Sequence, residues 1–148
     1  MTEIIIKTVP YAEEIQAIQC IRKQVFQKEQ GVDRELEFDG LDNTATHLLA
    51  YLENEPVGTT RIRKIDAKTV KIERLAVLTT ARRKGIGKKL MEKAIEIIAS
   101  QDYREIVVHA QEYIKSLYQQ LGFQQIGNSF EEANILHVKM IKKITENS

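Results

Sequence analysis

Leu75-Ala76-Val77-Leu78, followed after three residues by Arg82-Arg83-Lys84-Gly85-Ile86-Gly87-Lys88-Lys89, is an apolar strand end running into a glycine-containing turn that opens a helix. Glycines let the main chain approach a ligand closely, and N–H groups at a helix start point outward before the first helical hydrogen bonds form. The helix dipole adds roughly half a positive charge there, and basic side chains flank the turn on both sides. Such a turn invites an anion, and pyrophosphate suits it. A solvated basic helix start is the alternative that the residues leave open. Two nucleotide motifs are excluded. A P-loop needs glycine where this chain has Arg82 and a hydroxyl where it has Lys89, and the dinucleotide fingerprint needs a third glycine where Leu90 stands.

Upstream, Ile4 to Val9 is a β-branched run that predicts a strand. Pro10 then opens a helix carrying Ile15, Ile18, Ile21, Val25 and Phe26 at helical spacing, expected to end near Gly31. An acidic connection follows, Asp33, Glu35, Glu37, Asp39 and Asp42 against the single base Arg34, and reads as a solvated loop. It imitates the start of a calcium loop, but Thr46 stands where the bidentate glutamate is required, so no metal site is expected. His47 to Leu52, Val57 to Ile65 and Thr69 to Leu78 predict an antiparallel meander. Downstream, Gly85 to Ser100 is an amphipathic helix, Glu105 to Ala110 an apolar strand, and Glu112 to Leu121 a short helix capped by Gly122. Phe123 to Ile126 and Ile135 to Ile144 supply two last strands. The order β-α-β-β-β-α-β-α-β-β makes a single α/β (α+β) domain over residues 1–148, its sheet mixed and mostly antiparallel.

Composition narrows the function classes. Twenty-two basic against twenty-one acidic side chains remove the broad electrostatic case for a nucleic-acid binder. No apolar run approaches the roughly 18 residues of a membrane span, and Met1 to Lys7 lacks a signal-peptide core, so no membrane partner is expected. The lone Cys20 cannot form an internal disulfide; it reads as a small buried thiol in a reducing, cytoplasmic setting. A homodimer is left open.

The segment Arg-x-x-Gly-x-Gly after Leu75-Ala76-Val77, with Ser116-Leu117-Tyr118-Gln119-Gln120-Leu121-Gly122-Phe123, resembles the GCN5-related N-acetyltransferase (GNAT) superfamily over nearly the whole chain. Val25-Phe26 with Glu29-Gln30, Phe38-Asp39-Gly40, His47 to Ala50 and His109-Ala110-Gln111 look like its ElaA-like branch. The resemblance implies acetyl-CoA as donor and a primary amine as acceptor, of a small molecule or, alternatively, of a protein lysine or N-terminus. A non-catalytic acyl-CoA-binding module is the non-enzymatic alternative. It also implies that main-chain N–H groups around Leu75, Ala76 and Val77 polarise the thioester carbonyl. The segment Arg82, Arg83, Lys84, Gly85, Ile86, Gly87 and Lys88 would bind pyrophosphate, and Tyr118 would protonate the CoA sulfur. His137, with Met140 and Lys142-Lys143, resembles the end of glyphosate N-acetyltransferase-like enzymes, where the matching histidine is the base. Arg22 and Arg74 match substrate-binding arginines of those enzymes, whereas Gln111 stands in place of a third.

The residues themselves bear on these roles. A phenol stays protonated at neutral pH and can donate to a developing thiolate, although Tyr118 also suits ordinary packing beside Leu117 and Leu121. Imidazole can accept an ammonium proton at physiological pH, which makes His137 a candidate base, with His47 and His109 weaker ones. Glu73 is the rival. Period-two alternation puts it on the face of Leu75 and Val77, with Arg74 facing as Ile72 and Ala76 do, and partial burial would raise its pKa toward neutrality. Arg22 lies on the apolar face of its helix and needs an anion, either Asp39 or Glu37 or a substrate.

Overall fold

The computed structural model describes residues 3–144; the outer residues of the expected 1–148 domain, 1–2 and 145–148, lie outside the described part. The chain runs β1 (Ile4–Val9), α1 (Tyr11–Arg22), α2 (Arg34–Glu37), β2 (Thr46–Leu52), β3 (Glu55–Lys64), β4 (Thr69–Val77), α3 (Ile86–Ala99), β5 (Glu105–Gln111), α4 (Lys115–Gln120), β6 (Gln124–Glu132) and β7 (Ile135–Lys143). Seven strands form one sheet in the order β1-β2-β3-β4-β5-β7-β6. The β4–β5 pair is parallel and the others are antiparallel.

Both faces of the sheet centre are covered, so β2 is buried at every position from His47 to Ala50 instead of alternating with solvent. On one face α3 places Ile86, Leu90, Met91, Ala94 and Ile98 against Leu48, Ile72 and Ile106, with Tyr118 and Phe123 in the same core. On the other, Ile18, Ile21, Val25 and Phe26 pack on Leu49 and Ala76. No helix among the described residues is long and apolar enough to cross a membrane.

Several expectations change. After Arg22 the first helix widens to π geometry over Lys23–Glu29, with Gln30 N–H donating to Val25 C=O five residues back (3.0 Å). The acidic connection is not a solvated loop. It carries the short helix α2 and buries Glu37 and Asp42. β6 runs on to Glu132, so the stretch expected to end at Ile126 is twice as long as read. Gly127 (φ +79) accommodates a register shift between Ile126 and Phe130 that a side chain would oppose. Cys20, expected to be buried, is exposed on α1.

The largest departure is in β4. Arg74 takes φ +58 and the register against β3 shifts between Thr59 and Arg61, so the strand bulges. Alternation reverses there: Val70 and Ile72 face the α3 core, yet after the bulge Leu75 and Val77 pack on that same core and Ala76 turns to the α1 side. Glu73 therefore does not share the face of Leu75 and Val77.

Candidate active site

β4 and β5 pair only through Thr69–Glu105, Val70–Ile106 and Lys71–Val107, and beyond Lys71 the two strands part. The Arg74 bulge lies in the parted segment of β4, where the sheet's hydrogen bonding toward β5 is interrupted. A cavity of about 350 Å³ occupies this region, roofed by Phe26, Gln30 and Val32 from the end of the first helix and by Leu36 and Glu37 of α2.

Register determines the cavity's floor. Gln111 lies opposite His137 across β5 and β7, and Phe130 lies opposite His137 across β6 and β7. Two residues along, His109 and Glu132 fall on the same sheet face by the strand period. His137 is buried, stacks on Phe130 (ring centroids 6.0 Å apart) and donates its Nδ1–H to the Ile135 carbonyl (2.7 Å). That bond uses Nδ1, and Nε2 lies 3.8 Å from Glu132 Oε2. His109 Nδ1 lies 3.3 Å from Glu132 Oε1. Gln111 Nε2 donates to Gln30 Oε1 (2.9 Å), an amide pair that ties the floor to the roof.

Tyr118 lies at the inner wall, its ring edge-on to Phe123 (5.9 Å). Burial, reinforced by Tyr113, pushes the phenol well above the usual tyrosine value, so it is a proton donor and not a phenolate at neutral pH.

The donor-side turn also has a defined form. Arg83 (φ +65) and Gly85 (φ +77) both take left-handed conformations, and the first bond of the helix start is Lys89 N–H to Gly85 C=O (3.0 Å). The N–H groups from Arg83 to Lys88 precede that bond and open outward. A Cβ on Gly85 would meet nothing within 4 Å, and one on Gly87 only Val77 Cγ2 at 3.9 Å. The turn is thus a main-chain cradle that side chains would fill, which fits a pyrophosphate. Within it the Lys84 and Lys88 side chains are exposed, while Ile86 is buried and can offer only its main chain. Arg82 is a correction. Its guanidinium grips Glu29 through two 2.5 Å bonds and donates Nε–H to the Val77 carbonyl (3.0 Å), which ties the turn to the first helix instead of facing the cradle.

Arg22 is corrected as a substrate ligand, and Arg74 is engaged within the protein. Arg22 is 1% exposed; it donates to Glu37 Oε2 (2.5 Å) and Asp42 Oδ1 (2.7 Å), and it does not line the cavity. Of the two internal partners considered, Glu37 is the one it uses. Arg74 reaches the cavity wall but is held by the Glu37 carbonyl (3.0 Å) and Asp39 Oδ2 (3.2 Å). Glu73 is corrected as a base. Burial pushes its carboxyl up, but hydrogen bonds from Arg63 and Arg61 and the charges of Arg61 and Lys71 outweigh that and hold it at about 2. Sequence reasoning missed Arg61, Arg63 and Glu132. The alternation Arg61-Ile62-Arg63 facing Glu73 across a meander was the available signal for the first two; for Glu132 the truncated β6 concealed it.

The Acetyltransferase (GNAT) domain matches residues 9–144. The chain belongs to the GNAT acetyltransferase family. Among GNAT relatives, the Bacillus subtilis (strain 168) protein YyaT is 39% identical over 130 residues, covering 86% of this chain and 87% of YyaT. The crystal structure of Escherichia coli ElaA superposes with a TM-score of 0.84 at 25% identity, over 95% of this chain and 99% of that one. A GNAT family acetyltransferase from Elizabethkingia anophelis, solved with acetyl-CoA bound, has a TM-score of 0.68 at 19% identity, over 95% of this chain and 98% of its own. The GNAT assignment agrees with the ElaA-like resemblance and places the chain among acyltransferases that use acyl-CoA donors.

Proposed function

We propose that this GNAT protein transfers the acetyl group of acetyl-CoA directly to the nitrogen of a primary amine of a small molecule. The observation that carries the reading is the cavity at the parting of β4 and β5, which has a neutral phenol, Tyr118, on one wall and an imidazole with an open Nε2, His137, on another. The main-chain cradle from Arg83 to Lys88 suits the donor's pyrophosphate, as does the bound acetyl-CoA of the Elizabethkingia anophelis relative.

His137 Nε2 accepts a proton from the amine, directly or through water, and the freed nitrogen attacks the acyl carbon. Main-chain N–H groups along Leu75, Ala76 and Val77 donate to the carbonyl oxygen as negative charge gathers on it. Tyr118 O–H protonates the departing sulfur, and the phenolate so formed takes the second proton of the acylated nitrogen, directly or through water. Arg22 and Arg74 hold the α2 segment as roof, and Gln111 holds Gln30.

Acetyl-CoA at 100 times its Kd adds about 2.7 kcal/mol, a rise in unfolding midpoint of about 5–10 °C for a domain of this size. Tyr118→Phe keeps that shift and lowers kcat about 100-fold, with KM for acetyl-CoA unchanged. Stabilisation with no acetylation across a panel of amines would instead mark a donor-binding module. No shift at millimolar acetyl-CoA would sink the reading altogether.

A further inference from the structure

We propose that Glu132 anchors the ammonium group of the acceptor, and that the site takes an amine whose remaining body is apolar and carries no anionic group. The inference rests on reading this cavity as the acceptor site of an acetyltransferase.

The charges that line the cavity are spent on one another, with one exception. Lys71 Nζ stands 3.5 Å from Glu73 Oε1, and Glu73 is further bound by Arg61 and Arg63. Arg74 is held by the Glu37 carbonyl and Asp39, and Glu37 lies beneath Arg22 at 2% exposure. Both cations of the wall are thus already engaged within the protein. Glu132 differs. Its side chain is 47% exposed and its nearest ionisable neighbours are two imidazoles, His109 at 3.3 Å and His137 at 3.8 Å, with Lys71 contributing at longer range. The His109 hydrogen bond, against the opposing effect of burial, holds it below the usual glutamate range, so it is a carboxylate at neutral pH.

A carboxylate at the cavity wall beside an open imidazole nitrogen suits an alkylammonium group. Glu132 holds the cation; one N–H proton passes to His137 Nε2; the resulting imidazolium stays beside the same carboxylate, and the neutral nitrogen keeps its electron pair for the acyl carbon. About half of the lining is apolar, with Phe26, Val32, Leu36, Leu75, Ile114 and Ile135 available to an apolar body and Tyr113 73% exposed beside them. An anionic group on the substrate would give up its water to face Glu132 and Glu73, and would have to draw Arg74 or Lys71 from their present partners.

The test uses a matched pair, 2-phenylethylamine and L-phenylalanine, which differ by one carboxylate. Each is titrated calorimetrically into the full chain saturated with CoA, for wild type and Glu132→Gln, and initial acetylation rates are measured alongside. Wild type should bind 2-phenylethylamine at least tenfold more tightly than phenylalanine. Glu132→Gln should weaken 2-phenylethylamine at least tenfold while KM for acetyl-CoA and the unfolding midpoint stay put. Equal binding of the pair, an unaffected Glu132→Gln variant, or no binding of 2-phenylethylamine would each overturn the anchor. Binding of the amine without acetyl transfer would sink the acetyltransferase reading and leave the anchor standing. Acetylation of phenylalanine as efficient as that of 2-phenylethylamine would do the reverse.

Discussion

Arg74 adopts a conformation that side chains avoid, and the surroundings that hold it there are also what decide between Glu73 and His137. Glu73 lies opposite Arg61 in the regular register ahead of the bulge, so its buried carboxylate meets Arg61 and Arg63 on β3. A carboxyl held at about 2 is a poor proton acceptor near neutral pH, so its loss should be felt in stability. Glu73→Gln should cost about 3 kcal/mol, because Arg61 is left with less buried counter-charge, and should lower the unfolding midpoint by about 6 °C or more. An unchanged midpoint with a collapsed rate would restore Glu73 as the base. His137→Ala should do the opposite: a midpoint lowered only modestly and kcat/KM for the amine down about 100-fold at pH 7, with part of the loss recovered at higher pH where more of the amine is already neutral. Tyr118 was legible in two ways from sequence, as packing and as chemistry; it is buried against Phe123 and also lines the cavity.

At the scale of elements, α3 serves as core and as donor platform, and two glycines separate the roles. A Cβ on Gly58 of β3 would stand 3.1 Å from Leu90 Cδ1, 3.2 Å from Ile86 Cγ2 and 3.3 Å from the Ala76 carbonyl, so α3 lies as close to the sheet as glycine allows. Gly58→Val should therefore destabilise by about 1–3 kcal/mol, read as a shifted urea midpoint. Gly87 has no such neighbour. Gly87→Val should fold with a near-wild-type midpoint yet lose the stabilisation that acetyl-CoA confers; a variant that keeps the full shift would remove Gly87 from the cradle. The elements were readable from local signals, a period of 3.6 in α3 and β-branched runs bounded by turn residues in the strands. A boundary went astray where the pattern breaks without an apolar cue, at Gly127, where a turn residue marks a bulge inside β6.

Across the whole molecule, the acidic connection is strapped onto the sheet by three arginines from three elements. Arg22 of α1 takes Glu37 and Asp42, Arg61 of β3 takes Asp39 and Asp42, and Arg74 of β4 takes Asp39 and the Glu37 carbonyl. Burial alone would raise the carboxyls of Asp39 and Asp42, but the arginines outweigh it and hold both below the usual aspartate range. Glu73, at about 2 folded against 4.5 ordinarily, behaves the same way. Carboxyls depressed by folding stabilise above their unfolded values and lose that contribution as pH falls through the folded ones. Stability measured by urea unfolding should thus decline gently from pH 7 to about 5, where the buried His47, whose pKa burial lowers, resists protonation, and fall steeply from about 4.5 toward 2, with a shallower fall in Glu73→Gln. The roof of the cavity belongs to this strap, so the same acid step should weaken 2-phenylethylamine binding.

The sequence by itself determined the order of the strands and of the helices between them apart from α2, the glycine turn that opens α3 and the family those motifs indicate, because each depends on neighbours a few residues apart: a period, a cap, a backbone angle. It also placed Tyr118 and His137 among the candidates through local motifs. Only the tertiary structure decided which charges are spent. Whether Arg22 and Arg74 meet a substrate or the chain's own carboxylates, whether Glu73 is desolvated or neutralised, and that Glu132 comes to stand beside His137 all depend on cross-strand register and on one bulge. A single-residue shift in a strand exchanges its two faces, and no periodicity along the chain records it.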